Sequence, residues 1–123
     1  MQISTPTSEA LAQYLSLTTA QLRLTASNMA NIDTPGYTTQ GFDFQQELVR
    51  QLQATPDPMG QSVTAPEIQS VDGLVARPDG NNVSIDREGL QLAKSQLQFR
   101  MGVLLLKSEF ANISSAIHAS DGK

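Results

Sequence analysis

The chain has no cysteine and a single histidine, His118, among its 123 residues. Without cysteine there is neither a thiolate nucleophile nor a disulfide framework, and a zinc cluster lacks its usual ligands. The same absence leaves the redox compartment open. No basic stretch exists either. The 8 Lys and Arg residues are scattered from Arg23 to Lys123 and the formal charge is −4, so the electrostatic footprint of a nucleic-acid binder is missing. The longest near-apolar run, residues 101–106, falls well short of the roughly 20 residues that a bilayer span needs. Ahead of Arg23 the sequence offers no basic residue and no apolar core of leader length, which argues against a cleaved secretory signal.

Catalytic patterns are equally scarce. There is no Gly-x-Ser-x-Gly elbow, phosphate-cradling loop or dinucleotide fingerprint. Asp43 and Glu47 stand four apart and could in principle share a metal, but acids in a first helical turn read better as solvated partners of the helix dipole. His118, near a helix C-terminus, reads as a dipole-complementing residue and not as a general base. The expectation is a protein that is not an enzyme and that has no metal, no cofactor, no small-molecule substrate and no nucleic-acid partner.

What is present is helical periodicity at both ends, around a middle rich in turn residues. The length suits one structural unit. Within it, residues 1–32 read as an N-terminal helix, 33–54 as a turn and short helix, 55–82 as irregular and 83–123 as a C-terminal helix. The first helix is expected to start near Thr5 or Thr7, with Pro6 at a first helical position and Glu9 complementing the dipole. Leu11, Leu15, Thr18, Leu22, Thr25, Met29 and Ile32 then recur at steps of four and three and define one narrow seam. Pro35 forbids its continuation. A short helix follows from Asp43 to about Gln53, with Asp43 as cap and Gln46 three residues on.

The middle collects Pro56, Pro58, Pro66, Pro78, Gly60, Gly73 and Gly80. Inside it, residues 68–71 and 74–76 flank Asp72-Gly73, a type I′ turn pair placed to close a small β-hairpin.

The last helix, capped by Ser84 or Asp86 and running to about His118, carries the strongest signal. One apolar row is Ile85, Leu92, Phe99, Leu106 and Ile113, interleaved with Gln96, Val103, Phe110 and Ile117. A second, Leu90, Leu97 and Leu104 joined by Met101, lies on another side, so the apolar surface is broader than one partner helix needs. Gly89 stands at the earlier position of the interleaved row of Gln96, Val103, Phe110 and Ile117 and interrupts the helix at a cost of about 1 kcal/mol relative to Ala, marking either softer first turns or a close approach by another backbone. About 34 helical residues extend to roughly 50 Å, whereas a globule of this length is about 35 Å across. The fold expected is mainly α: elongated terminal helices packed as a coiled-coil-like hairpin, projecting beyond any globule the chain builds alone.

Between the first two helices stands Asn28-Met29-Ala30-Asn31-Ile32-Asp33-Thr34-Pro35-Gly36-Tyr37, in which Pro35 and Gly36 suit the central positions of a type II turn. This string resembles the N-terminal signature of the bacterial flagellar rod and hook protein family. Gly41-Phe42-Asp43-Phe44, Asp79-Gly80-Asn81-Asn82-Val83 and the pattern from Ile85-Asp86-Arg87-Glu88 to Ile117 extend the resemblance to both ends of the chain. Thr38 departs from it, standing where a basic residue is usual. The short length and final helix favour the proximal rod members over the longer distal rod and hook proteins. The resemblance implies a structural subunit of the basal-body rod in the periplasmic space. It would be exported by the flagellar type III apparatus without a cleaved signal, with terminal helices poorly ordered until assembly. Its partners would be copies of itself, other rod proteins, the basal-body base and the export apparatus. The expected assembly seam is Leu11, Leu15, Leu22, Met29, Leu92, Phe99, Val103, Leu106, Phe110, Ile113 and Ile117. The signature turn is Asn28, Asn31, Thr34, Pro35, Gly36 and Tyr37. A cytosolic helical adaptor or secretion chaperone is the alternative reading of amphipathic ends with acidic charge.

Overall fold

A computed structural model describes residues 5–54 and 65–122. Helix α1 spans Pro6–Ala30, and Thr5 caps it in a reciprocal capping box: the Thr5 hydroxyl accepts from the Ser8 N–H and the Ser8 hydroxyl accepts from the Thr5 N–H. Helix α2 spans Phe44–Gln53 behind its Asp43 cap, whose carboxylate accepts from the Gln46 N–H at 3.0 Å. Helix α3 spans Ile85–Asp121, capped by Ser84, and at 37 residues it is about 55 Å long. Both long terminal helices and the short middle one therefore form where the caps and periodicity place them.

The small antiparallel sheet pairs β1 (Gln40–Gly41) with β2 (Gln69–Ser70), in the register Gln40 opposite Ser70 and Gly41 opposite Gln69. The irregular middle thus contributes a strand to a two-stranded ladder, but its partner is not residues 74–76. Gly73 does turn with φ of +80°. The chain beyond it, however, is drawn towards the end of α1, where Arg77 donates its backbone N–H to Asn81 and its guanidinium to the Ile32 carbonyl. Long-range bonds outcompete the local hairpin. Pro56, Pro58 and Gly60 lie outside the described residues.

Helices α1 and α3 pack antiparallel. Thr5 at the start of α1 donates to the Glu109 carboxylate at 2.8 Å, and Asn28 near its end donates to Glu88 at 3.2 Å. The row of α3 that faces α1 is Glu88, Ser95, Gly102 and Glu109, spaced by seven; the first three are buried. Opposite them Thr18, Gln21, Thr25 and Asn28 are buried. Threonine can be buried here because Thr18 returns its hydroxyl to the Tyr14 carbonyl at 2.8 Å, and Gln21 donates to the Thr25 hydroxyl at 3.3 Å. The hairpin therefore closes largely on small and polar residues, with Leu15 and Tyr14 packed on Gly102 and the other leucines of the expected seam half-buried beside the contact. Helix α2 docks on one flank, where the Tyr14 ring meets Phe44 edge-on at a centroid distance of 5.5 Å and Leu17 is buried.

Close approach is set by Gly102 and not by Gly89. A Cβ on Gly102 would sit 2.7 Å from Leu15 Cδ2 and 3.1 Å from Tyr14 Cδ1, whereas one on Gly89 would meet nothing within 4 Å. Among the described residues no neighbouring backbone explains Gly89. Gly89→Ala is therefore expected to raise stability by about 1 kcal/mol through helix propensity alone. Gly102→Val is expected to destabilise by forcing α1 and α3 apart. Chemical denaturation followed by far-ultraviolet circular dichroism separates the two; a stabilising Gly102→Val would contradict the packing described.

Candidate functional site

The signature turn is a joint held from both sides. Pro35 and Gly36 form a turn closed by the Tyr37 N–H on the Thr34 carbonyl at 3.2 Å, with Gly36 at φ of +74°, as a type II turn requires. Gly36 also donates its N–H to the Asp79 carbonyl at 2.9 Å, and its Cα lies 3.4 Å from where a Cβ on Gly80 would be. Gly80 has φ of +86°, so both glycines sit in the left-handed region that side-chain-bearing residues rarely adopt, and it is this backbone conformation, not lack of room, that calls for glycine.

Two buried asparagines hold this joint closed. Asn81 donates both amide hydrogens, to the Asn31 and Thr34 carbonyls, each at 2.8 Å, and accepts from the Val83 N–H at 2.8 Å. It thereby takes the second acceptor site of two carbonyls that already hold a backbone N–H, that of Thr34 on Asn31 and that of Tyr37 on Thr34. Asn28 donates to the Gln40 carbonyl at 2.8 Å and to Glu88, and accepts from the Gln40 N–H at 3.1 Å and from the Tyr37 hydroxyl at 2.9 Å. Its side chain therefore pairs with Gln40 as a neighbouring strand would. Glu88, fully buried, carries Arg87 on its other oxygen at 2.6 Å. Thr39 donates its N–H to Asn82 Oδ1 at 2.6 Å, so residues 37–40 and 79–83 run together.

Of the expected signature residues, the structure brings Asn28, Asn31, Thr34, Pro35, Gly36 and Tyr37 into this one joint. Thr34, Pro35 and Gly36 remain exposed on its surface. Residues 77–83, and Arg77, Asn81 and Glu88 in particular, are the members that periodicity does not single out. The available signal was the Asp79-Gly80-Asn81-Asn82 cluster directly ahead of a helix cap, a concentration of backbone-mimicking side chains.

The expected seam residues are placed differently. Leu11, Leu15, Leu22, Met29, Leu92, Val103, Leu106 and Ile113 are half-buried, and Phe99, Phe110 and Ile117 are exposed, so this chain alone does not enclose them. At about 100° per residue, the α1 members lie on the opposite flank of the Thr18–Thr25 contact row from Tyr14 and Leu17, which face α2. Because the helices are antiparallel, Leu92, Phe99, Val103 and Leu106 fall on the same side of the hairpin. The result is one apolar face shared by both helices, opposite α2. It continues along residues 110–121, roughly 18 Å of α3 past its contact with Thr5, where Phe110, Ile113 and Ile117 line a shallow apolar groove with Ser114 and His118. His118 Nδ1 lies 2.7 Å from the Ser114 carbonyl on its own helix.

The acidic residues have local partners. Asp43 serves as a cap. Glu47, buried, holds Arg50 at 2.5 Å and accepts from the Glu67 N–H at 3.2 Å, tying α2 to the chain entering β2. The Arg50 hydrogen bond, aided by the Glu67 N–H, keeps the Glu47 carboxyl below its ordinary pKa against the opposing effect of burial. Among the described residues no cluster of His, Cys, Asp and Glu is placed to hold a metal ion, and no helix is long and apolar enough to cross a membrane.

Residues 15–38, the second half of α1 and the signature turn, match the family described as flagella basal body rod protein. The flagellar basal body rod protein FlgB of Salmonella typhimurium strain LT2 is 28% identical, covering 89% of this chain and 91% of that protein. FlgB of Escherichia coli K12 gives the same identity and coverage. FlgB of Bacillus subtilis strain 168 is 27% identical over 95% of this chain and 97% of its own.

Asn81→Asp keeps the shape but loses the amide donors and sets a carboxylate against two carbonyls. It is expected to cost about 3 kcal/mol or more in denaturant unfolding at neutral pH; a change below about 0.5 kcal/mol would exclude Asn81 as a fastening. For Glu47, a depressed folded-state pKa means that its contribution is fully present above the ordinary value of 4.5 and fades as pH falls through the lower folded value. Glu47→Gln should therefore be less stable than the parent at pH 7, with the difference shrinking below pH 4.5; a constant difference across that range would remove the ion pair as its cause.

Proposed function

With a rod-protein signature at its central joint and rod proteins similar to it along some nine-tenths of its length, this chain is, we infer, a member of the flagellar basal body rod family and a structural subunit of that rod. The observation that carries the reading beyond likeness is the apolar face on the open side of the hairpin. Phe110 and Ile117 are about half exposed on a stretch of α3 that α1 does not reach, and Leu11, Leu15, Leu22 and Met29 border the same side. A surface of this kind favours association.

Assembly then works by burial and not by turnover. Copies of the chain and other rod proteins cover the face made by Leu11, Leu15, Leu22, Met29, Leu92, Phe99, Val103, Leu106, Phe110, Ile113 and Ile117. The packed helices link the base of the flagellum to the rest of the rod and pass torque through a static interface. The small, polar contact between α1 and α3 supports this: it contributes little apolar burial by itself, so covering the outer face supplies much of what fixes the two helices together. A loosely held hairpin also suits passage through the flagellar export apparatus ahead of assembly in the periplasmic space.

The test combines sedimentation velocity and circular dichroism on the purified chain, alone and mixed with purified rod proteins, with rod assembly in cells. The chain alone is expected to be a monomer of reduced helicity that gains helix on mixing. Phe110→Ala, which deletes a side chain worth about 3–5 kcal/mol when enclosed, should block assembly while export continues. A protease-resistant helical dimer that ignores rod proteins would instead identify a helical adaptor or secretion chaperone.

A further inference from the structure

Helix α3 carries a second apolar stripe, away from both α1 and the face just described. Leu90, Leu97, Met101, Leu104 and Leu105 are 73%, 60%, 51%, 65% and 53% exposed, too open to form part of this chain's own core. Their spacing is that of a coiled-coil seam. Leu90, Leu97 and Leu104 repeat at seven and take d positions, while Lys94, Met101 and Ser108 take the alternating a positions. In that register Arg100 and Lys107 fall at g, the edge from which charges select a partner helix, and the e positions are Gln91, Gln98 and Leu105, all without charge.

The charges decide what lies there. Lys94, Arg100 and Lys107 are exposed, and among the described residues the ion pairs are Arg50 with Glu47 and Arg87 with Glu88, so none of the three is in an ion pair with a described residue, although Lys94 shares the lining of a groove with Asp43. In a parallel pairing a second copy of α3 would bring Lys94 against Lys94 in the seam and offer Arg100 and Lys107 only uncharged e residues, and in an antiparallel pairing it would set the Arg100 and Lys107 edge against its own copy. Helix α1 of another copy carries Glu9 as its one acid and adds Arg23. Neither long helix of this chain complements the stripe.

We propose that the Leu90–Leu97–Leu104 stripe is a coiled-coil seam for a helix of a different protein, one with acidic residues at the positions facing Arg100 and Lys107 and an acidic or polar residue opposite Lys94. The proposal deepens the rod reading by assigning partner chemistry to a face which that reading leaves open. Its charge dependence can fail while assembly through the Phe110 face stands. Lysine at an inner seam position costs stability and fixes register, so the site selects its partner by charge as well as by leucine packing.

The test uses the full chain and two synthetic helical heptad peptides with the same leucine core, one with glutamate and one with lysine at the flanking positions, in fluorescence anisotropy at low and high salt. The glutamate peptide is expected to bind at least tenfold more tightly, with the preference falling in high salt. The double substitution Arg100→Glu and Lys107→Glu should reverse the preference. Leu97→Ser with Leu104→Ser should abolish binding of both peptides, with circular dichroism confirming that each variant retains the parent's helix content. Arg100→Gln with Lys107→Gln gives a milder second pair that should remove the preference without reversing it. Equal binding of the two peptides, or a preference unmoved by the charge variants, overturns the proposal. So does salt-insensitive self-association lost in the leucine variants, which would make the occupant a second copy. Binding to anionic phospholipid vesicles with no preference between peptides would likewise overturn it, in favour of a lipid surface.

Discussion

The fold depends on two asparagine side chains buried at the joint between its long helices. Past the end of α1 the chain turns on itself, with the Thr34 N–H on the Asn31 carbonyl and the Tyr37 N–H on the Thr34 carbonyl. Asn81 adds both its amide hydrogens to those same two carbonyls, taking the second acceptor site of each, and it comes from the segment that leads into α3. One residue thus ties the chain that leaves the first helix to the start of the last. Asn28 performs the reciprocal task from within α1, pairing with the Gln40 backbone and reaching Glu88 on α3. With the joint fixed in this way, the two long helices must leave it side by side and antiparallel.

The consequence for the surface is less intuitive. In a self-sufficient hairpin the leucines face inward. Here the inward rows are Thr18, Thr25, Ser95 and Gly102, and the apolar residues flank them. Small residues let the helices approach, as Gly102 does against Leu15 and Tyr14, and threonines can be enclosed because their hydroxyls return to the helix backbone. The apolar rows are displaced to faces that the described residues leave partly open. A fastening rich in hydrogen bonds at one end and weakly apolar arms beyond it fit a subunit whose final order comes from its neighbours.

Two faces of α3 then have different characters. The one shared with α1 is apolar with no Lys or Arg among its seam residues, as suits repeated packing among related helices. The other is bordered by Arg100 and Lys107 and interrupted by Lys94, and its pattern discriminates among partners. A single helix can address two kinds of neighbour separately because the two faces diverge around its axis.

Local chemistry made the helices legible in the sequence. Thr5 with Pro6, Asp43 with Gln46 and Ser84 ahead of its acidic turn place the three starts, and Pro35-Gly36 places the turn, because caps and turns are decided within a few residues. The amphipathic rows of α3 were equally plain, and the family resemblance followed from residues 28–37. What periodicity left undecided was which row faces α1, since a helix with apolar residues on several sides gives no single answer. Tertiary packing chose the row of Glu88, Ser95 and Gly102, through the joint that fixes the relative rotation of the helices and the close contact that only glycine permits. It also gave β2 the distant strand at Gln40 in place of the near one, because the hydrogen bonds of Asn28 and Arg77 act across the chain and leave no mark in a local window.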